Sequence, residues 1–146
     1  AACSAGAASA TEDQAIVRKM WTFGEKLGIA FQIKDDLFDY GDESIGKPRG
    51  IDIKEKKMTL PLIYALNKAE KSLKNKIIHH IKTDSTNESK IKEVIDFVKS
   101  MGGLEYSQEA MIRYQNEALE IIQSFPQSES RDRMVDLVYF FTNRKS

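Results

Sequence analysis

The chain has 146 residues, of which 41% are hydrophobic, with 22 Lys or Arg balanced by 22 Asp or Glu. That is one domain's worth of chain with enough apolar content for a core. The zero net charge removes any global pull toward nucleic acid or an anionic membrane surface, so a charge-based function must be local. The single cysteine, Cys3, excludes an internal disulfide framework and a thiolate-rich zinc site and suits a reducing compartment. No apolar run approaches the roughly 18 residues of a membrane-spanning helix, and the expectation is a soluble, cytoplasmic protein.

The first ten residues, AACSAGAASA, are small and have neither the basic region nor the Leu-rich stretch of a signal peptide. They read as part of a helix, and the chain as given reads as the continuation of something longer. Thr11-Glu12-Asp13-Gln14 matches a capping box that opens a helix. Ile16, Met20, Phe23, Leu27, Phe31, Leu37 and Phe38 then recur mostly at three- and four-residue steps, which predicts a long helix to about Tyr40. Residues 41–50 hold three glycines and Pro48 and form a loop. Helical periodicity resumes after Lys57 in TLPLIYALNKA, with Pro61 tolerable only in the first turn. Amphipathic helices follow over residues 72–81, 88–101, 104–125 and 130–142, separated by polar residues 83–87, by Gly102-Gly103 and by Phe125-Pro126. Neither period-2 alternation of strand length nor an internal repeat is present, so the fold class is all-α.

DDLFD, residues 35–39, sets three carboxylates within about one turn at the end of the long helix, with Asp39 three and four residues from Asp36 and Asp35. Two carboxylates near 4 Å repel by about 4 kcal/mol at an effective dielectric of 20, and the helix C-terminus adds partial negative charge. Three acids in five residues are often only a solvated helix end. Here the flanks GIAFQI and LF are apolar, and the glycines and lysines downstream suit a phosphate-facing loop. Hard oxygen ligands suit Mg²⁺, with Mn²⁺ as an alternative, and Mg²⁺ takes one or two carboxylates and completes its shell with water and phosphate oxygens. A calcium EF-hand is excluded, because every register starting at Asp35, Asp36 or Asp39 places Leu37, Phe38 or Gly41 at the third, oxygen-donating position.

FQIKDDLFDY followed by GKPRGIDIKEKKMTLPLIYAL resembles the second aspartate-rich motif and following loop of the trans-type polyprenyl diphosphate synthases, over residues 31–61. GGLEYSQEAM, ALEIIQSFPQSESR and the basic ending Asn143-Arg144-Lys145 resemble the same family's C-terminal half. One position departs: Lys56 stands where the family usually has glycine. The resemblance implies a helical bundle of the isoprenoid synthase type, here without its N-terminal helices, so that residues 1–146 are the C-terminal part of a synthase domain. It implies a Mg-dependent prenyltransferase joining isopentenyl diphosphate to an allylic diphosphate. An all-α half-bundle without its partner helices should expose apolar surface, so a homodimer is expected. Asp35 and Asp39 would ligate Mg²⁺, and Asp36 would hold metal-bound water or a further ligand position. Lys47 would contact the allylic diphosphate and Lys57 would lie close by. Phe31 and Gln32 would line the reaction chamber, and Arg144 would fold over a diphosphate. The family's first aspartate-rich motif lies upstream of anything in this sequence, so this chain alone is expected to be inactive.

Two other functions compete: a non-catalytic or regulatory subunit of a heteromeric synthase, which has no need of an intact DDLFD with Lys47, and a terpene cyclase fragment, which is not expected to carry the GKPxGxDI and KxTLP continuation. His79 and His80 are adjacent, about 100° apart on a helix, and make a poor chelate. Lys54, Lys56 and Lys57 are balanced by nearby acids and do not make a nucleic-acid patch. Cys3 reads as a small packing residue, and Met20, Trp21 and Phe23 as core or dimer contact.

Overall fold

The structure is a computed structural model that describes residues 1–41 and 50–144. Lys47 lies outside the described residues. Within them the chain forms eight helices and no strand: α1 (Ala2–Ala10), α2 (Gln14–Phe38), α3 (Ile51–Lys54), α4 (Leu60–Lys68), α5 (Lys71–Thr83), α6 (Glu88–Ser100), α7 (Gly103–Gln123) and α8 (Glu129–Asn143). The all-α expectation holds, with α5 to α8 ending within two residues of the boundaries read from periodicity. None of the helices over the described residues is long and apolar enough to cross a membrane. The chain divides into two compact units, residues 1–32 with 110–145 and residues 33–109.

In the first unit, Phe23 and Leu27 lie one helical turn apart on α2 and bury against Ala118, Leu119 and Ile122 of α7 and Val138 of α8. Each side chain of that size stabilises the fold by about 1.5–3 kcal/mol on burial. Cys3 packs beside this cluster, and its Sγ lies 3.1 Å from where a Cβ on Gly24 would stand, so a glycine there admits α1. Met20 joins the cluster, while Trp21 is exposed. The buried Gln115 amide donates to Thr142 Oγ1 at 2.8 Å, which satisfies both groups.

The α1–α2 junction corrects the capping-box expectation. Because α1 runs to Ala10, Thr11 is its extended C-cap residue, and the Thr11 hydroxyl accepts the Asp13 N–H at 3.1 Å. The side chain that caps α2 is Asp13, whose Oδ1 accepts the Ala15 N–H at 2.8 Å.

In the second unit, Ile77 and Ile81 of α5 pack against Ile91, Val94 and Val98 of α6, with Leu62 and Leu66 of α4 and Tyr40 in the same core. Asn87 caps α6 by accepting from the N–H groups of Ser89 and Lys90. Pro61 falls in the first turn of α4, where its missing N–H costs nothing. Gly103 opens α7 against α4 and α6: a Cβ there would stand 2.5 Å from the Pro61 carbonyl oxygen and 2.9 Å from Val98 Cγ1.

His79 and His80 part ways as their spacing implied, since His79 is exposed and His80 buried, with Nε2 3.3 Å from Glu93 Oε2. Glu93 also bonds Lys76 and, at 3.4 Å, Lys90. These cations, Lys76 foremost, hold its carboxyl down at about 2, against an ordinary value of 4.5. A depressed folded-state value gives stability that is present above the unfolded value and is lost as pH falls through the folded one. Glu93→Gln should therefore flatten the loss of stability between about pH 4.5 and 2, as read from urea midpoints across that range.

Helix α3 was not visible in the sequence, and the departure at Lys56 explains how it ends. The Lys57 N–H donates to the Asp52 carbonyl at 2.8 Å and the Lys56 N–H to the Ile53 carbonyl at 3.0 Å, a Schellman closure with Lys56 left-handed at φ 58°. A non-glycine residue pays about 1–2 kcal/mol there. The Lys56 side chain recovers part of that cost, since Nζ donates to the Lys82 carbonyl in the last turn of α5 at 2.9 Å. Lys56→Ala removes this bond and keeps the strain, so it should lower stability by about 0.5–1 kcal/mol. Lys56→Gly should lie about 1 kcal/mol above the Ala variant in the same melts.

Candidate functional site

Helix α2 ends at Phe38 in a turn, with the N–H groups of Tyr40 and Gly41 donating to the carbonyls of Leu37 and Phe38 at 3.2 Å. Tyr40 is then buried, and its hydroxyl meets Thr59 Oγ1 at 2.6 Å. Burial raises the Tyr40 phenol well above its ordinary value. This contact ties the end of α2 to the N-cap residue of α4.

The carboxylates add further ties across the same gap. Asp39 is 8% exposed; its Oδ1 accepts the Ile51 N–H at 2.7 Å, and its Oδ2 accepts the Asp52 N–H at 3.2 Å. The Asp39 carbonyl accepts the Gly50 N–H at 3.2 Å. Asp36 Oδ2 accepts the Leu60 N–H, more loosely, at 3.4 Å. Burial raises the Asp39 carboxyl above its ordinary value, and the amide donors pull it partly back. Asp35 and Asp36 are half-buried.

Asp52, opened outward by α3, faces Lys57. Its Oδ1 lies 3.1 Å from Lys57 Nζ, and Glu55 Oε2 lies 2.6 Å from the same ammonium. Glu55 and then Asp52 hold the Lys57 ammonium above the ordinary lysine value. The Lys57 side chain is 58% exposed, so the ion pairs are solvent-screened and the cation can exchange partners. Asp52 stood inside the pattern Gly50-x-Asp52 without an assigned role; the signal for it was a carboxylate just upstream of Lys57.

Among the described residues, no three carboxylate, imidazole or thiol groups converge into a metal-sized cluster. Asp39 has turned both oxygens onto main-chain amides. Asp35 and Asp36 are half-buried hard oxygen donors, of the kind that suits a Mg²⁺ that keeps several waters and takes one or two protein ligands.

The other sequence-chosen residues belong to the first unit. Phe31 is half-buried, edge-to-face with Phe141 at 5.3 Å and 89°, and the Arg144 guanidinium lies 4.3 Å from its ring centroid. Gln32 is exposed.

A family model described as Polyprenyl synthetase matches residues 1–98, which include DDLFD, α3 and the KMTLP segment. The chain belongs to the polyprenyl synthetase family. It is 32% identical over 146 residues to heptaprenyl diphosphate synthase component 2 of Geobacillus stearothermophilus, covering 99% of this chain and 44% of that protein. It is 30% identical to the short chain isoprenyl diphosphate synthase of Methanothermobacter thermautotrophicus, over 99% of this chain and 45% of that one. The crystal structure of geranylgeranyl pyrophosphate synthase from Bacteroides thetaiotaomicron superposes with a TM-score of 0.87 at 34% identity, covering 97% of this chain and 47% of that chain. This polyprenyl synthetase chain thus spans less than half the length of these relatives, and its helices follow an isoprenoid synthase fold.

Proposed function

We propose that this chain supplies the second aspartate-rich half-site of a prenyltransferase that joins isopentenyl diphosphate to an allylic diphosphate. The observation that carries the reading is the second unit's arrangement: the DDLFD turn is bonded to the residues that present Lys57, so oxygen donors and a solvent-exposed ammonium occur on one tied segment. Asp35 and Asp36 would hold Mg²⁺, or Mn²⁺ in its place, and the ion would take up charge from the departing diphosphate as the allylic C–O bond breaks.

Lys57 gives up its exposed ion pairs with Asp52 and Glu55 to meet the more concentrated charge of a diphosphate. Lys47 is assigned to the same anion on the family resemblance, as are Phe31 and Gln32 to the apolar chamber and Arg144 to a covering role over a diphosphate. Exclusion of water protects the allylic cation until the second substrate's double bond attacks it and a proton leaves. The reading also carries a homodimer in the cytoplasm. The name of the Geobacillus relative, a component 2, favours a second polypeptide in the working enzyme as the alternative.

The test is incorporation of labelled isopentenyl diphosphate into farnesyl diphosphate with Mg²⁺, by this chain alone and by a chimera that joins it to the preceding half of the Bacteroides synthase. The chain alone should be inactive and the chimera should elongate. A chimera that melts cooperatively yet fails to elongate contradicts the proposal.

A further inference from the structure

We infer that Asp39 is a positioning residue and not a metal ligand: its carboxylate clasps the start of α3, which sets Asp52 and through it the Lys57 ammonium. The inference rests on the prenyltransferase reading for the role of Lys57, but the clasp itself is independent of it.

Both Asp39 oxygens accept main-chain donors, Ile51 at 2.7 Å and Asp52 at 3.2 Å, and the Asp39 carbonyl accepts from Gly50. The residue is 8% exposed, so these amides take the place of water for it. The bond to the Asp52 N–H fixes the residue whose carboxylate lies 3.1 Å from Lys57 Nζ. At the far end of α3, the Lys57 N–H returns to the Asp52 carbonyl at 2.8 Å, so Asp52 is held through its N–H, its carbonyl and its side chain. Gly50, left-handed at φ 66°, precedes α3, and a Cβ there would stand 2.3 Å from Ile91 Cγ2, so the clasp is built on a residue without a side chain. The division of labour follows: within DDLFD, Asp35 and Asp36 are the half-buried carboxylates assigned to the ion, while Asp39 acts through α3.

Asparagine keeps one acceptor oxygen and caps a helix start about as well as aspartate, whereas alanine has none. It is a much poorer hard-cation ligand than a carboxylate, because it brings no charge. Two measurements on this chain separate the roles. In metal-free hydrogen exchange, the Ile51 and Asp52 amides should exchange roughly 2- to 30-fold faster in Asp39→Ala, whereas Asp39→Asn, with one acceptor oxygen left, should hold the Ile51 amide close to the parent rate and release the Asp52 amide. In calorimetric titration of inorganic diphosphate at graded Mg²⁺, Asp39→Asn should leave the half-saturating Mg²⁺ concentration within about threefold, and Asp35→Asn should raise it about tenfold or more.

Unchanged exchange in Asp39→Ala removes the clasp and overturns the inference. A Mg²⁺ requirement raised as far by Asp39→Asn as by Asp35→Asn makes Asp39 a ligand and overturns it equally. Absence of Mg²⁺-dependent diphosphate binding in the parent chain counts against the prenyltransferase reading, and the exchange rates still decide the clasp.

Discussion

Gly50→Ala is expected to destabilise the chain by about 2–5 kcal/mol. Two independent costs add. The backbone at Gly50 is left-handed, with φ 66°, which costs a residue with a Cβ about 1–2 kcal/mol. The new Cβ would also stand 2.3 Å from Ile91 Cγ2, in a core that includes Val94 and Ile53, where overpacking costs about 1–3 kcal/mol. The Gly102→Ala variant provides the control. Gly102 is also left-handed, at φ 75°, but the nearest atom to its added Cβ is the flexible Glu105 carboxylate at 3.9 Å, so only the backbone cost applies. Thermal melts of the two should therefore differ by the steric share, and equal melting would refute the packing argument at Ile91.

Asp35→Ala should behave in the opposite way, losing function and keeping the fold. In the elongating chimera its rate should drop by about 10²-fold or more, the scale on which removal of a group that stabilises developing charge acts. Its melting midpoint should hold or rise slightly, because the substitution takes one of three like charges from the end of α2, where the helix dipole is unfavourable to anions. The measurement is the elongation rate and the melt on the same preparation. A variant that elongates at the parent rate removes Asp35 from the site, and one that loses activity together with its cooperative melt assigns Asp35 a folding role instead.

Much of the second unit could be read in the sequence, because its helices are amphipathic and end at strong breaks such as Gly102-Gly103. What could not be read depends on atoms from distant positions. Helix α3 spans only four residues next to a glycine, too short for a periodic signal, and exists through Asp39 twelve residues away and the Lys56 closure. The Thr11 capping pattern is present, but α1 immediately before it leaves the cap to Asp13. The electrostatic puzzle of DDLFD resolves only partly along the sequence: periodicity puts the three acids on one broad face, whereas the fold turns Asp39, and more weakly Asp36, onto main-chain amides.

The central claim is that an ion and a diphosphate are held at the end of α2. Its most direct test is paramagnetic broadening by Mn²⁺ of the isotope-labelled chain in the presence of inorganic diphosphate. The account predicts loss of amide signals centred on Asp35 and Asp36 that requires diphosphate and disappears in Asp35→Ala. Broadening that leaves residues 35–39 untouched, or that is the same in Asp35→Ala, would contradict it.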